Sequence, residues 1–442
     1  MKAPMLGYQL RMAGKSLRRT PGHTAIVAGG IALGVAVSTV FATVRHSFAK
    51  DPIPEKSDAL YYVRLDSWGP DEPYPGGGPP TQITYQDMSN LMRSDIPVRQ
   101  SGMFKSFLYV FPDPKMARPQ KEIVRMCFGD FFTMFQVPFR YGGPWDRKAD
   151  EKAAQVVVLG KQMNDRLFGG ENSVGRTLRI ENREFQVVGV LDEWKPSIKF
   201  YDLTQNYVQA PEQIYIPFSL AVPMQPPIAG NDDGWKNQEV PGFAGKLVSE
   251  SVWIQFWVEL PSAEHVARYK AFVDAYTLEQ KKLGRFARPL NNRVQTIAEW
   301  MAERQVVPKQ TTAMLAVSLL FLLICALNLI GLLLGKFLAR APEIGVRRAM
   351  GARRLDVFVQ HIVECEMVAL AGGAIGLVLA LGGLWVVNLW TKAITQRADF
   401  FQIDWKMAGF AAVAALAAGL VAGVYPALRV CRIPPATHLR MQ

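Results

Sequence analysis

Two apolar runs long enough to cross a membrane flank a short basic segment between Phe321 and Gly383, and no other feature restricts the fold as much. The stretch reads FLLICALNLIGLLLGKFLARAPEIGVRRAMGARRLDVFVQHIVECEMVALAGGAIGLVLALGG. About 20 helical residues cross ~30 Å of hydrocarbon, so the segment between the runs must lie on one side of a bilayer. Arg347, Arg348, Arg353 and Arg354, with Lys336 and Arg340 just before them, assign that side to the cytoplasm by the positive-inside rule. A pair of membrane helices joined by a short cytoplasmic element is suited to passing force between cytosol and membrane.

Four windows qualify as spans: Thr24–Val44, Ala313–Gly335, Met367–Trp390 and Ala408–Val430. More than 250 residues of mixed composition separate the first from the second. The net charge of +12 would suggest nucleic acid if it were spread over a surface. Instead, residues 1–20, 336–358 and 429–442 carry all of it, and the remainder is neutral. The basicity is topological, and it excludes nucleic-acid binding as the reading. It also orients the chain, with both termini in the cytoplasm and residues 46–308 outside. Of Cys127, Cys325, Cys365 and Cys431, only Cys127 falls in that outer domain, so an intradomain disulfide is not available to it.

Taken in order, Tyr8–Arg19 reads as a basic amphipathic helix along the inner membrane surface (domain 1–20). The first apolar run exceeds the ~7–15 residues of a signal core and is read as an uncleaved helix. In the outer domain, strands are predicted at Leu60–Asp66, SFLYVFP, KEIVRMCF, AQVVVLG, IYIPFSL and Ser251–Leu260. Helices are predicted after the cap residues Thr84 and Ser262, and a hairpin is predicted with Glu181-Asn182 at its turn. The composition changes at Ala154. An early and a late α/β set therefore bracket a β-rich insertion at about 154–245, which describes a split subdomain. The fold class expected is an α+β membrane protein: four transmembrane helices, with a large periplasmic α/β domain between helices 1 and 2. Residues 336–358 form the cytoplasmic loop, and 431–442 the cytoplasmic tail.

Gly170–Thr177 (GENSVGRT) nearly fits the phosphate-binding G-x-x-x-x-G-K-[ST] loop, with Arg176 in place of Lys. A working loop of that kind follows a strand and opens a helix; here a helix precedes and a strand follows, so a turn is expected. Metal and hydrolase signatures are lacking, and the chain reads as non-catalytic with no cofactor of its own. Each span carries G-x-x-x-G: Gly30/Gly34, Gly331/Gly335, Gly372/Gly376 and Gly419/Gly423. Small residues one turn apart let helices approach closely, so all four pairs are expected in a tight bundle. Asn328, Glu364, Glu366 and Asn388 are costly in lipid and should face helices or a cavity. Glu364 and Glu366 also lie near the cytoplasmic end of span three, within reach of the interface. In the basic loop, Pro342-Glu343 should start a helix and Gly351 should close it. Ile344, Val346, Ala349 and Met350 should form an apolar patch that docks into a protein groove.

The stretch LLGKFLARAPEIGVRRAMGARRLDVFVQHIVECEMVALAGGAIGLVLA resembles the permease family of MacB, LolC/LolE and FtsX, whose motif is close to R-x-x-E-I-G-[IV]-R-[RK]-A-x-G-A. FFTMFQVPFRYGGPW and residues 153–194 resemble the family's outer domain. GLVAGVYPALRVCRIPPATHLR resembles its terminus, with Pro426, Ala427 and Pro435 in place and Cys431 where a small residue is usual. The resemblance implies a permease subunit of an ABC system, in which cytosolic ATPases close on ATP and the motion reaches a periplasmic domain. It makes Glu343, Ile344, Gly345, Val346, Arg347, Arg348, Ala349, Gly351 and Ala352 the helix that couples to the ATPase. Because about 20 residues precede the first span, the ATPase, with its ATP and Mg, is expected on a separate chain. Further expected partners are a second permease copy or paralogue, a periplasmic adaptor and a TolC-like outer-membrane duct. The work would be efflux of a drug, peptide or lipid-type substrate, or lipoprotein release. The alternative is an FtsX-like regulatory permease acting on a hydrolase or a sensor kinase.

Overall fold

The computed structural model describes residues 21–71, 73–111, 119–397 and 399–432. The helix expected at Tyr8–Arg19 and the tail motif around Pro435 lie outside them. The chain divides into two units, one holding the four long helices and the other spanning Asp51–Val306.

The Asp51–Val306 unit is built on one sheet. Its strands are β1 (Leu60–Arg64), β2 (Arg99–Phe111), β3 (Gln120–Cys127), β4 (Phe139–Gly142), β5 (Val156–Leu159), β6 (Thr177–Ile180), β7 (Arg183–Leu191), β8 (Ile214–Pro217), β9 (Gln255–Glu259) and β10 (Arg293–Thr296). Their spatial order is β10-β1-β9-β2-β3-β8-β5-β7-β4, with β6 bridging β2 and β7. Pairing is antiparallel except for β3–β8 and β5–β7. The first and last segments of the unit supply β10, β1, β9 and β2; the middle supplies the rest. The middle half starts before Ala154, since β3 and β4 already lie beyond β2. β2 and β3 are ordinary hairpin partners, so the crossing carries no turn or linker signal of its own, whereas the valine run of β5 is conspicuous. Within the strand predicted at Ser251–Leu260, every residue of β9 (Gln255–Glu259) is buried, on both faces of the sheet.

Local chemistry ends and starts the helices of this unit. Thr84 Oγ1 accepts from the Asp87 N–H at 3.1 Å to cap Tyr85–Leu91, and Ser262 caps Ala263–Lys282. Thr296 and Glu299 form a capping box on Ile297–Glu303. The phosphate-loop look-alike is a turn: the helix Lys161–Phe168 ends at Gly169 in the left-handed region, and the Gly175 N–H donates to the Val187 carbonyl at 2.8 Å. Arg176 pairs with Glu171 of the same turn.

A buried ion cluster ties the irregular segment between β7 and β8 to the sheet. Arg125 Nη2 lies 2.7 Å from both Asp202 Oδ2 and Glu212 Oε1. Lys105 reaches Asp202 at 3.1 Å and Lys199 reaches Glu212 at 3.2 Å. The Tyr201 hydroxyl donates to Glu212 Oε2 at 3.0 Å. Burial alone would push both carboxyls up; the three cations override it and hold Asp202 and Glu212 well below the usual carboxylate range.

The other unit contains TM1 (Pro21–Ala49), TM2 (Lys309–Leu338), TM3 (Arg354–Thr395) and TM4 (Trp405–Cys431), each long and apolar enough to span a bilayer. TM3 has 42 residues, about 63 Å at 1.5 Å per residue, so it extends well past the hydrocarbon expected around Met367–Trp390. Three of the four glycine pairs sit where helices meet. A Cβ on Gly372 or Gly376 would stand 2.7 Å from the Ala28 or Ala32 carbonyl oxygen of TM1. Gly34 faces Leu322 of TM2, with Gly30 against Leu329. Gly419 and Gly423 lie against Ala369, Glu366 and Cys365 of TM3. The fourth pair departs from expectation: Gly331 and Gly335 have no atom within 4 Å of where a Cβ would be.

The polar residues of the spans divide in the same way. Asn388 Nδ2 donates to the Phe401 carbonyl at 2.9 Å and its Oδ1 accepts from the Phe401 N–H at 3.0 Å. Both Glu366 oxygens are buried without a hydrogen-bond partner among the described residues, in the space Gly419 leaves. Asn328 is instead exposed on the outside of TM2, contrary to the expectation that it faces a helix. The four cysteines are free thiols.

Substituting Gly376 with valine forces TM3 off the Ala32 carbonyl, and overpacking of this kind costs about 1–3 kcal/mol. Gly376→Val should therefore lower the thermal midpoint of the detergent-solubilised chain. Gly382→Val, placed where nothing lies within 4 Å, should leave it unchanged.

Candidate functional site

The basic segment between TM2 and TM3 folds as a helix, Ala341–Ala349. Pro342 occupies its first turn, Glu343 stands at the positive end of the dipole, and Arg347 and Arg348 stand at the negative end. Gly351, at φ 101°, closes it in the left-handed region. The N–H groups of Gly351 and Ala352 donate to the carbonyls of Arg348 and Arg347, both at 3.1 Å. TM3 begins at Arg354, and the Arg353 N–H donates to Asp356 Oδ2 at 3.3 Å. Four residues, Met350 to Arg353, therefore end one helix and start the next, which leaves little slack between them.

The helix has two unlike faces. Ala341, Ile344 and Arg348 share the inner one. Ala341 is buried, Ile344 packs on the apolar core of the bundle, and Arg348 Nη1 donates to the Cys431 carbonyl at 3.2 Å, at the negative end of TM4. Arg347 Nη1 reaches Gln360 Oε1 of TM3 at 3.4 Å. Glu343, Val346, Ala349 and Met350 are exposed, Met350 by 76%. The apolar patch expected from the sequence is thus divided: Ile344 belongs to the bundle, and Val346, Ala349 and Met350 face away from it. The i, i+3, i+7 spacing accounts for this, since it places 341, 344 and 348 together and 343, 346 and 350 together.

Below the helix lies a charge cluster. Lys336 Nζ of TM2 meets Glu364 Oε1 of TM3 at 2.7 Å, with side chains 4% and 2% exposed. Arg340 Nη1 lies 3.6 Å from Glu364 Oε2, and Arg340 Nε 3.9 Å from Glu343 of the linker helix. His361 Nδ1 is 3.8 Å from Glu364 Oε2, and its ring packs on Phe337 at 4.2 Å between centroids. A line of charge runs from Glu343 through Arg340 to Glu364. Glu364 therefore does not reach for the interface; it is buried between two cations. The sequence counted Lys336 and Arg340 only as topological charge. Their i, i+4 spacing, opposite a TM3 carboxylate, was the signal that could have found the cluster.

Comparison with known proteins adds the context. The model of the MacB-like periplasmic core domain matches residues 24–276, and the model of the FtsX-like permease C-terminal region matches residues 315–435. The macrolide export ATP-binding/permease protein MacB of Nitrosomonas europaea is 25% identical over 433 residues, covering 94% of this chain and 56% of that protein. The pyoverdine export ATP-binding/permease protein PvdT of Pseudomonas aeruginosa is 27% identical over 317 residues, covering 71% and 41%. The chain thus spans about half the length of the curated relatives it matches. Among solved structures, the periplasmic region of MacB from Actinobacillus actinomycetemcomitans aligns with 55% of this chain and 92% of that chain, at 13% identity and a TM-score of 0.35. Four apolar helices, a core unit inserted between the first and second, and matches covering both parts lead to one conclusion: this chain belongs to the family of ABC-transporter permeases that join a MacB-like periplasmic core domain to an FtsX-like permease domain.

Proposed function

We propose that this permease converts closure of a cytosolic ABC ATPase into movement of its periplasmic core unit, so that the work is done outside the bilayer rather than by passage through it. The observation that carries the reading is the helix Ala341–Ala349. It offers Glu343, Val346 and Met350 outward while Ile344, Arg347 and Arg348 hold it to the bundle. Arg340 continues the path to the buried Lys336–Glu364 pair. A push on the outer face is then delivered to TM2, TM3 and TM4 together. Under this reading the chain sits in the inner membrane with both termini in the cytoplasm and works beside a second permease. ATP and Mg belong to the ATPase, and the chain itself is not an enzyme. The names of the relatives, which speak of macrolide and pyoverdine export, support efflux, with an adaptor and a TolC-like duct as partners.

Reversing both anchors tests this. Arg347→Glu with Arg348→Glu sets a negative charge against the TM4 carbonyl end and should reduce permease-dependent ATP hydrolysis at least tenfold in the reconstituted complex. Unaltered hydrolysis would reject the coupling role. Affinity capture of the wild-type chain with the ATPase trapped on ATP identifies the partners. Recovery of an adaptor and duct supports export, whereas recovery of a hydrolase or a sensor kinase would replace export with regulation.

A further inference from the structure

We propose that the cytoplasmic ends of TM3 and TM4 form a binding site for an anionic phospholipid, whose phosphate is held by Arg354, Arg429 and Arg432. The inference rests on the orientation proposed above, which sets this end of the bundle at the inner leaflet.

Gly419 of TM4 lies against Glu366 of TM3, and Gly423 against Cys365. Each step toward the end of TM4 is thus a step toward the start of TM3, and Arg354 comes level with Cys431. The charges of Arg348 and Arg354 both reach the Cys431 thiol. Arg348 is committed to the Cys431 carbonyl, whereas Arg354 is exposed. On TM4, the buried Ala422, Gly423, Pro426, Ala427 and Val430 face the bundle. Val421, Tyr425, Leu428, Arg429 and Arg432 are exposed, and their i, i+4, i+7, i+8, i+11 spacing makes them the opposite stripe. That stripe is apolar within the expected span and basic where the helix leaves it. Tyr425 sits ~6 Å deeper than Arg429 at 1.5 Å per residue, where an amphipathic ring meets the headgroup boundary.

The chain does not supply the counter-charge for these arginines. Among the described residues, Arg354, Arg429 and Arg432 have no ion pair. The carboxylates on this side are already engaged: Glu343 with Arg340, Glu364 with Lys336 and Arg340, and Asp356 with the Arg353 N–H. Residues 1–20 and 429–442 contain no Asp or Glu. A phosphodiester supplies what is lacking, since guanidinium groups bind phosphate oxygens through paired, charge-assisted hydrogen bonds. Its acyl chains would continue along Leu428 and Val421. That continuity is why a lipid fits better than the other anions. A free phosphate covers only the arginines, and an acidic protein segment could not follow the stripe into hydrocarbon. Basic surfaces between membrane helices on the cytoplasmic side recognise anionic headgroups in this way.

The test uses the full chain in maltoside detergent, with dioleoylphosphatidylglycerol added and the first lipid adduct followed by native mass spectrometry. Wild type should bind this lipid at least tenfold more tightly than dioleoylphosphatidylcholine. One arginine beside an anionic headgroup is worth about fivefold in affinity. Arg429→Gln with Arg432→Gln should therefore weaken binding at least tenfold. Arg354→Gln, on the other helix, should weaken it at least threefold and provides an independent arm. Lys392→Gln with Lys406→Gln removes the same charge from exposed positions at the opposite ends of TM3 and TM4 and should change it less than twofold. No described ion pair is lost in the arginine variants, so their thermal midpoints without lipid should match wild type. Millimolar inorganic phosphate should leave the adduct in place; displacement by it would overturn the lipid as occupant. Undiminished lipid binding in the arginine variants would overturn the site, and loss of ATPase capture in the same variants would assign these arginines to the ATPase instead. Detergent micelles have no sides, so neither result bears on orientation. Labelling of the C-terminus from outside intact cells would overturn the orientation alone.

Discussion

Glu364→Ala is expected to destabilise the helix unit by about 3–5 kcal/mol, the range for removing one partner of a buried ion pair, and to abolish ATPase coupling. The loss arises because Lys336, 4% exposed and 2.7 Å from the carboxylate, is left as an uncompensated charge between TM2 and TM3. Arg340 has less to lose, since its side chain is 23% exposed and its long stem can carry the guanidinium to the interface. Replacing the pair with Lys336→Met and Glu364→Leu should recover most of the stability, because apolar side chains of similar volume often substitute for buried ions at little cost. Coupling should not recover, since the path from Glu343 through Arg340 to TM3 is still cut. Unfolding in detergent and ATP hydrolysis in the reconstituted complex read the two effects separately. A double variant that regains both would make the cluster a packing element only.

Arg125→Met should produce a loss of similar size in the core unit, again about 3–5 kcal/mol, with a distinctive pH dependence. Asp202 and Glu212 have folded pKa values depressed below their unfolded values near 4. Their contribution is therefore fully present above about pH 4 and fades as pH falls below it toward the folded values, where the folded state must take up protons. In the variant, Lys105 and Lys199 remain, but the group bonded to both carboxylates is gone, and burial pushes both carboxyls back up. The gap between wild type and variant, measured by denaturant unfolding of the full chain, should thus be widest near neutrality and should narrow below about pH 4. A gap that stays constant across that range would mean that methionine's shape, and not the missing charge, causes the loss.

The sequence shows the architecture well and the contacts poorly, for identifiable reasons. Apolar runs are long-range sums, so TM1 to TM4 are legible. Caps are local, so Thr84, Ser262 and the Pro342-to-Gly351 limits of the linker helix can be read residue by residue. Which glycine pair meets which helix depends on rotation about each helix axis, and the motif is the same whether Gly376 touches a carbonyl or Gly331 touches nothing. Ile344 looked like its apolar neighbours until the helix was set on the bundle. The Lys336–Glu364 pair joins residues 28 apart on two helices, and the Arg125 cluster gathers residues from 105 to 212. Proximity of that kind is a product of tertiary packing: the i, i+4 spacing of Lys336 and Arg340 points to a shared partner but does not say which carboxylate it is. The start of the middle half of the sheet was hidden because β2 and β3 each read simply as strands, and which half of a sheet a strand belongs to depends on its pairing partners.

The β2–β3 hairpin has one more implication. These strands are hydrogen-bonded in register from Met103–Cys127 to Val110–Gln120, and they join the half made by the ends of the core segment to the half made by its middle. Hinging the halves apart at this line would break a run of backbone hydrogen bonds that water could reach only after the break. The core unit is therefore stiff along its own sheet. Displacing one half of the core unit therefore carries the other half with it, because the line that joins them is a continuous ladder of backbone hydrogen bonds.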